Sequence, residues 1–180
     1  QTCALPIYDA ALAALIEQRV SDTGADGKLV RDAEARVYQV NLIEKLLVAL
    51  LAKLGNLVVD GGIWLNTQRP EWNDANNAIV GQGLSMVTLF YMRRYVAFFR
   101  KLLDQQDGAV ELSREVSHWL NETAAALAQL QGKLGEEPLS NNERFESLMA
   151  LGHAASDYRH TVYHQQGFSC SVSQDIDSII

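Results

Sequence analysis

Apolar positions recur at helical spacing along most of this chain, and short polar stretches divide them into blocks. Tyr8 to Val20 is alanine-rich and amphipathic, and the polar turn Ser21–Gly27 predicts its end. From about Val30 a long helix is expected, with Val37, Val40, Leu47, Leu50, Leu51 and Leu54 on one face and Gly55-Asn56 as its stop. Leu84 to Leu103 is apolar almost all the way round in its first half, the pattern of an inner helix surrounded by others. Val110 to Leu134 instead shows one stripe, which includes Leu112, Val116, Trp119 and Leu120, and a charged back, as an outer helix does. Glu136-Glu137-Pro138 ends that pair, Ser140-Asn141-Asn142 caps the next helix, and Phe145 to Tyr163 forms the last. The alternation predicts an all-α fold of antiparallel helical hairpins in layers. No fixed repeat is visible, which disfavours the common solenoids.

Residues 57–83 break the helical period. Leu57-Val58-Val59 and Ile63-Trp64-Leu65 are short β-prone runs around Asp60-Gly61-Gly62, and Asn, Gln, Pro, Asp and Gly make up most of the rest. One long structured loop is expected here, and a loop of that length between strong helices is where function is sought.

Composition narrows the partners. The 180 residues carry 15 basic and 22 acidic side chains, a net charge of −7 that argues against a phosphate backbone as ligand. Cys3 and Cys170 are the only cysteines, so neither a disulfide framework nor a Cys-x-x-Cys metal site is available. The longest apolar run, Leu46 to Leu54, is interrupted by Lys53 and is too short to span a bilayer. No nucleic acid and no membrane is expected, and the chain reads as soluble, its compartment open with the cytoplasm favoured. Gln1–Ile7 matches the translation of a sequencing-adapter tail and reads as an adapter-derived or disordered segment. Residues 8–180 read as a fragment of a larger helical domain.

The chemistry concentrates in Arg69-Pro70-Glu71-Trp72-Asn73-Asp74-Ala75-Asn76-Asn77. Cleaving a glycosidic bond needs a protonated carboxyl to donate to the leaving oxygen and a base or nucleophile on the other face of the ring. Glu71 and Asp74 supply two neighbouring acids, yet an inverting reaction needs its pair about 6.5–9.5 Å apart across the substrate, so the second group is expected elsewhere or is inorganic phosphate. Asp74 delivers the proton or caps a turn, Glu71 is a surface acid or the partner of Arg69 with a catalytic role as its alternative, and Arg69 braces a carboxylate or holds a substrate oxygen. Trp72 stacks on a sugar face or plugs the core under the loop, and Trp64 is assigned to the core, with substrate contact as its alternative. Asn73, Asn76 and Asn77 have the hydrogen-bonding capacity that sugars use and that a loop also uses on itself.

Two other patterns are set aside. Asp22, Asp26 and Gly27 fall at the first, fifth and sixth positions of a calcium loop, but Ala33 stands where the bidentate Glu belongs. His160 and His164 have the spacing of a metal pair without a third ligand nearby, so no metal is expected.

Glu71-Trp72-Asn73-Asp74-Ala75 resembles the Asp-Trp-Asn-Asp-Gly loop of cellobiose-phosphorylase-like enzymes, in the six-hairpin glycosidase superfamily. Gly83-Leu84-Ser85 through Tyr91 is similar to the Gly-x-Ser opening of that family's next inner helix. A class of bacterial proteins to which no activity is attached carries a similar Arg69–Asn77 stretch. The resemblance covers about residues 60–95. It implies a partial (α/α)6 toroid, with Asp74 as general acid and Trp72 lining the sugar site. Its substrate would be an oligosaccharide or glycoside, cleaved by hydrolysis or phosphorolysis. No cofactor is implied beyond phosphate as co-substrate, and the rest of the same polypeptide completes the site. Glu71 stands for the family's first Asp, Ala75 for its Gly, and Arg69-Pro70 for its glycine-rich lead-in. The rival reading is a non-catalytic helical interaction or sugar-binding module.

Overall fold

Four helices begin with a side chain that satisfies backbone N–H groups the helix itself leaves open. The Asp9 carboxylate accepts from the Leu12 N–H at 2.9 Å, Asn41 from Glu44 at 2.9 Å, and Ser85 Oγ from Thr88 at 3.1 Å. Ser140 and Glu143 form a reciprocal capping box: Ser140 Oγ accepts the Glu143 N–H at 3.3 Å while the Glu143 carboxylate accepts the Ser140 N–H at 2.8 Å. The computed structural model describes residues 9–32, 34–66, 82–135, 137–165 and 167–179. It divides into two units, Gln1–Gln39 and Val40–Ile180.

In the first unit, α1 (Ala10–Thr23) runs into a 3-10 turn over Gly24–Lys28. The helix therefore runs three residues into the expected polar stop and breaks at Gly24, where φ is 73°. The expected helix start near Val30 is not observed. Asp32 accepts the backbone N–H groups of Glu34 and Arg36 and the Arg36 guanidinium, and this closes a turn with Ala35 at φ 61°. An antiparallel bridge between Arg31 and Val37 completes it.

The second unit is mostly helical, with α2 (Leu42–Leu54), α3 (Met86–Leu103), α4 (Arg114–Lys133) and α5 (Asn141–Gln165). It also holds two small antiparallel sheets, so the all-α expectation is corrected. One sheet has three strands in sequence order, β1 (Leu57–Val58), β2 (Gly62–Asn66) and β3 (Gln82–Ser85). The expected loop over 57–83 thus opens and closes in strand, and the stretch between the second and third strands is 67–81. The other sheet pairs β4 (Ala109–Ser113) with β5 (Ser171–Asp175), Leu112 opposite Val172. The residues from Val110 to Ser113 are strand, and the helix expected from Val110 opens at Arg114.

Lys133 pairs with Glu146 at 2.7 Å near the α4–α5 connection, and Trp119 stacks on Tyr158 with ring centroids 4.3 Å apart toward the other end. That pairing order makes α4 and α5 an antiparallel hairpin. The core gathers Leu47 and Leu51 of α2, Phe99 and Leu103 of α3, Val116 and Trp119 of α4, Ala154 and Ala155 of α5, and Leu112 and Ile176 from around the second sheet. At the end of α2, Gly55 lets the helix meet α5: a Cβ there would stand 2.5 Å from the Ala155 Cβ.

The two central helices exchange their expected roles. α4, read as outer, buries Val116, Ser117, Trp119, Leu120, Thr123 and Ala126 together with Glu115, whereas α3, read as inner, buries only Met92, Phe99 and Leu103. Val87, Phe90, Tyr91 and Phe98 of α3 are all more than half exposed.

Candidate functional site

Of the candidate residues, Arg69, Glu71, Trp72, Asn73, Asp74, Asn76 and Asn77 lie outside the described residues. The described hairpin fixes where the stretch that carries them leaves and rejoins the fold. β2 and β3 pair with Ile63 opposite Ser85, Trp64 opposite Leu84, Leu65 opposite Gly83 and Asn66 opposite Gln82. The segment 67–81 therefore departs from and returns to one pair of residues that stand opposite each other across the ladder.

Strand alternation sorts the hairpin into two faces. Ile63 is fully buried on one, and its partner Ser85 caps α3 and shares a 2.9 Å hydrogen bond with the Thr88 hydroxyl. Trp64 and Leu84 face each other across the ladder on the other side, each 42% exposed. The core assignment of Trp64 is thus corrected: its indole stands partly exposed on the sheet face away from Ile63, three residues before the segment that bears Glu71 and Asp74. The turn into β2 is tight, with Asp60 at φ 60° and Gly62 at φ 128°. The Asp60 carboxylate accepts from Arg144 of α5 at 2.9 Å and pins this turn to the helical layer.

Beside the hairpin, α2 and α3 enclose an open groove of about 300 Å³ lined by Ala49, Leu50, Lys53, Thr88, Tyr91, Met92 and Tyr95. Its walls are largely aliphatic and aromatic. The Tyr95 hydroxyl donates to the Leu46 carbonyl at 2.9 Å, and burial pushes its pKa up, so it stays neutral across the physiological range. Arg94 lies 5.7 Å from the centroid of the Tyr91 ring at the rim. The sequence singled out Tyr95 only as a member of an apolar helix, and Tyr91 also as the end of the stretch that opens with Gly83-Leu84-Ser85. That α2 would face them was not visible in local spacing.

A second cluster of titratable groups lies in the core. Glu44 is buried, and its carboxylate accepts the Ser113 N–H at 2.9 Å and the Ser113 hydroxyl. Glu115, also buried, accepts the Ser169 N–H at 3.0 Å through one oxygen, and the other oxygen has no partner among the described residues. Burial first, and then the charges of Glu44 and Glu115, raise the pKa of Tyr158. The cluster's visible work is structural, since each carboxylate ties a helix to a strand end or loop.

His160 and His164 stand edge to face at 4.0 Å, and among the described residues no group of three or more His, Cys, Asp or Glu side chains could hold a metal ion. No described helix is long and apolar enough to cross a membrane. No family model matches the chain, and no curated protein matches it.

Proposed function

We propose that this chain forms part of a carbohydrate-active enzyme that cleaves a glycosidic bond by hydrolysis or phosphorolysis, within a larger (α/α)6 toroid. The proton donor is Asp74. Its proton passes to the bridging oxygen as the bond from that oxygen to the anomeric carbon breaks. A water that loses a proton to a base, or an inorganic phosphate oxygen, bonds to the anomeric carbon. Glu71 is the neighbouring negative charge that helps keep Asp74 protonated. Arg69, Asn73, Asn76 and Asn77 supply hydrogen bonds to sugar hydroxyls, and Trp72 supplies a stacking face.

The observation that supports this reading is the β2–β3 ladder. It draws the two ends of the acid-bearing stretch together at Asn66 and Gln82 and sets an exposed indole, Trp64, on the same hairpin. Ser85 caps α3 at the position where the resemblance expects a helix to open.

The test is Asp74→Asn in the complete polypeptide, assayed on a panel of disaccharides with and without inorganic phosphate. Turnover lost with an unchanged circular dichroism spectrum is the expected result. Turnover that survives the substitution removes Asp74 from the chemistry, and an unmodified protein inactive on every glycoside leaves the non-catalytic module as the reading. Phosphate dependence of the unmodified protein separates phosphorylase from hydrolase.

A further inference from the structure

The apolar content of α3 and its burial disagree, and the disagreement has a direction. Val87, Phe90, Tyr91, Arg94, Phe98 and Lys101 follow one another at spacings of one to four residues and form a single stripe along the helix. Its four apolar members are between 58% and 63% exposed. A monomer rarely leaves such a run of large apolar side chains in water without a partner for it. The stripe borders the α2–α3 groove, since Tyr91 belongs to both.

The charges say what kind of partner fits. α3 has four cations, Arg93, Arg94, Arg100 and Lys101, and no carboxylate, in a chain whose net charge is −7. Arg94 and Lys101 within the stripe and Lys53 on the opposite wall of the groove form no ion pair among the described residues. A second copy laid along the same stripe would bring these cations against their own kind. A partner that brings apolar side chains flanked by carboxylates meets both features at once.

We infer that the face made by α3 and the α2–α3 groove docks an acidic amphipathic helix supplied by a partner polypeptide. One large apolar side chain of that helix enters the groove among Leu50, Met92 and Tyr95, its neighbours cover Val87, Phe90 and Phe98, and its flanking carboxylates meet Lys53, Arg94 and Lys101. This is the helix-in-groove mode, in which anchors at three- and four-residue spacing supply affinity and rim charges choose the partner. The inference stands on the described residues of α2 and α3 and does not depend on sugar chemistry.

The probes are two synthetic helical peptides with one leucine stripe and a central tryptophan anchor, one flanked by glutamates and the other by lysines. Fluorescence anisotropy should show the glutamate peptide binding about tenfold or more tighter, with the preference shrinking as salt is raised. Phe90→Asp combined with Phe98→Asp should abolish binding while the thermal midpoint is retained. Arg94→Glu with Lys101→Glu should shift preference toward the lysine peptide. Equal binding of both peptides, binding indifferent to the Phe90 and Phe98 changes, or a complete polypeptide that binds neither peptide because its own remaining helices cover the face, overturns the proposal. So does sedimentation equilibrium showing a dimer that the Phe90→Asp, Phe98→Asp variant dissociates, because the face would then belong to a second copy.

Discussion

The carboxylate of Glu44, in the first turn of α2, accepts the backbone N–H of Ser113, sixty-nine residues away, at 2.9 Å. Ser113 is both the last residue of β4 and the residue before α4, so a single buried side chain joins a helix start, a strand end and a second helix start. Glu44→Ala would leave the Ser113 N–H buried without this acceptor and is expected to lower the unfolding free energy by about 2–3 kcal/mol. Glu44→Gln, which keeps one acceptor oxygen, should cost less. Urea denaturation of the two variants checks the order, and equal losses would show that the packing of the side chain matters more than its hydrogen bonds.

Tyr158 gives the alkaline side of the stability profile. Its folded-state pKa is raised by burial and by Glu44 and Glu115, so the unfolded chain releases this proton at lower pH than the folded one. The stability it contributes is complete below the ordinary tyrosine value of about 10 and is lost as pH rises through the higher folded value. Tyr158→Phe keeps the ring against Trp119 and removes the ionisation. Its thermal midpoint should therefore fall less steeply above about pH 10 than that of the unmodified protein. Parallel curves would assign the alkaline loss to other groups.

Gly55 and Ala155 form a size-matched pair at the α2–α5 contact. Gly55→Ala should destabilise by about 1–3 kcal/mol, because the new methyl group would lie 2.5 Å from the Ala155 Cβ unless a helix moves. Adding Ala155→Gly should recover part of that loss despite the cost of a glycine within a helix. A double-mutant cycle measures the coupling, and simple additivity would mean that the two helices separate freely at this point.

The Ser140–Glu143 capping box predicts an acid-sensitive helix start. Hydrogen bonds from the Ser140 hydroxyl and N–H lead in holding the Glu143 carboxyl below its usual pKa. A depressed folded-state value means that the contribution is present above the ordinary carboxylate value of about 4.3 and is lost as pH falls through the lower folded one. Ser140→Ala should cost about 1 kcal/mol at neutral pH and flatten the acid limb of the profile. An unchanged acid limb would show that the box forms too weakly to matter.

If the sugar-cleaving reading holds, Trp64→Ala should weaken oligosaccharide binding by about tenfold and lower the thermal midpoint only modestly, since the residue is 42% exposed. Titration calorimetry reads the first quantity and differential scanning calorimetry the second. A large drop in midpoint with intact binding would return Trp64 to a structural role.

What could be read from the sequence follows the range of the interactions. The stop at Gly55, the cap at Ser140 and the β-prone runs around Asp60-Gly61-Gly62 are set by neighbours a few residues away, and all three stand in the structure. β4 and β5 find each other across about sixty residues, and no local pattern in Val110–Ser113 announces that pairing. Asp32 overrode a good helical period near Val30 by giving the backbone a competing acceptor. The exchange between α3 and α4 has a different cause: apolar content measures what a helix would bury if it were covered, whereas burial measures what the described residues place over it. The candidate sugar site was legible as a motif, and its setting at the end of a hairpin was not, because Gln82–Ser85 reads as a helix start until Gly62–Asn66 lies beside it.

The ladder between Asn66 and Gln82 also has an evolutionary consequence. Because the two strands clasp each other, the conformational entropy of closing whatever joins them rises only logarithmically with length, by about 0.6 kcal/mol per doubling. Insertions, deletions and wholesale rewriting between those two positions are therefore cheap for the scaffold. Descendants of this chain can change sequence there while Leu47, Leu51 and Trp119 go on packing as before.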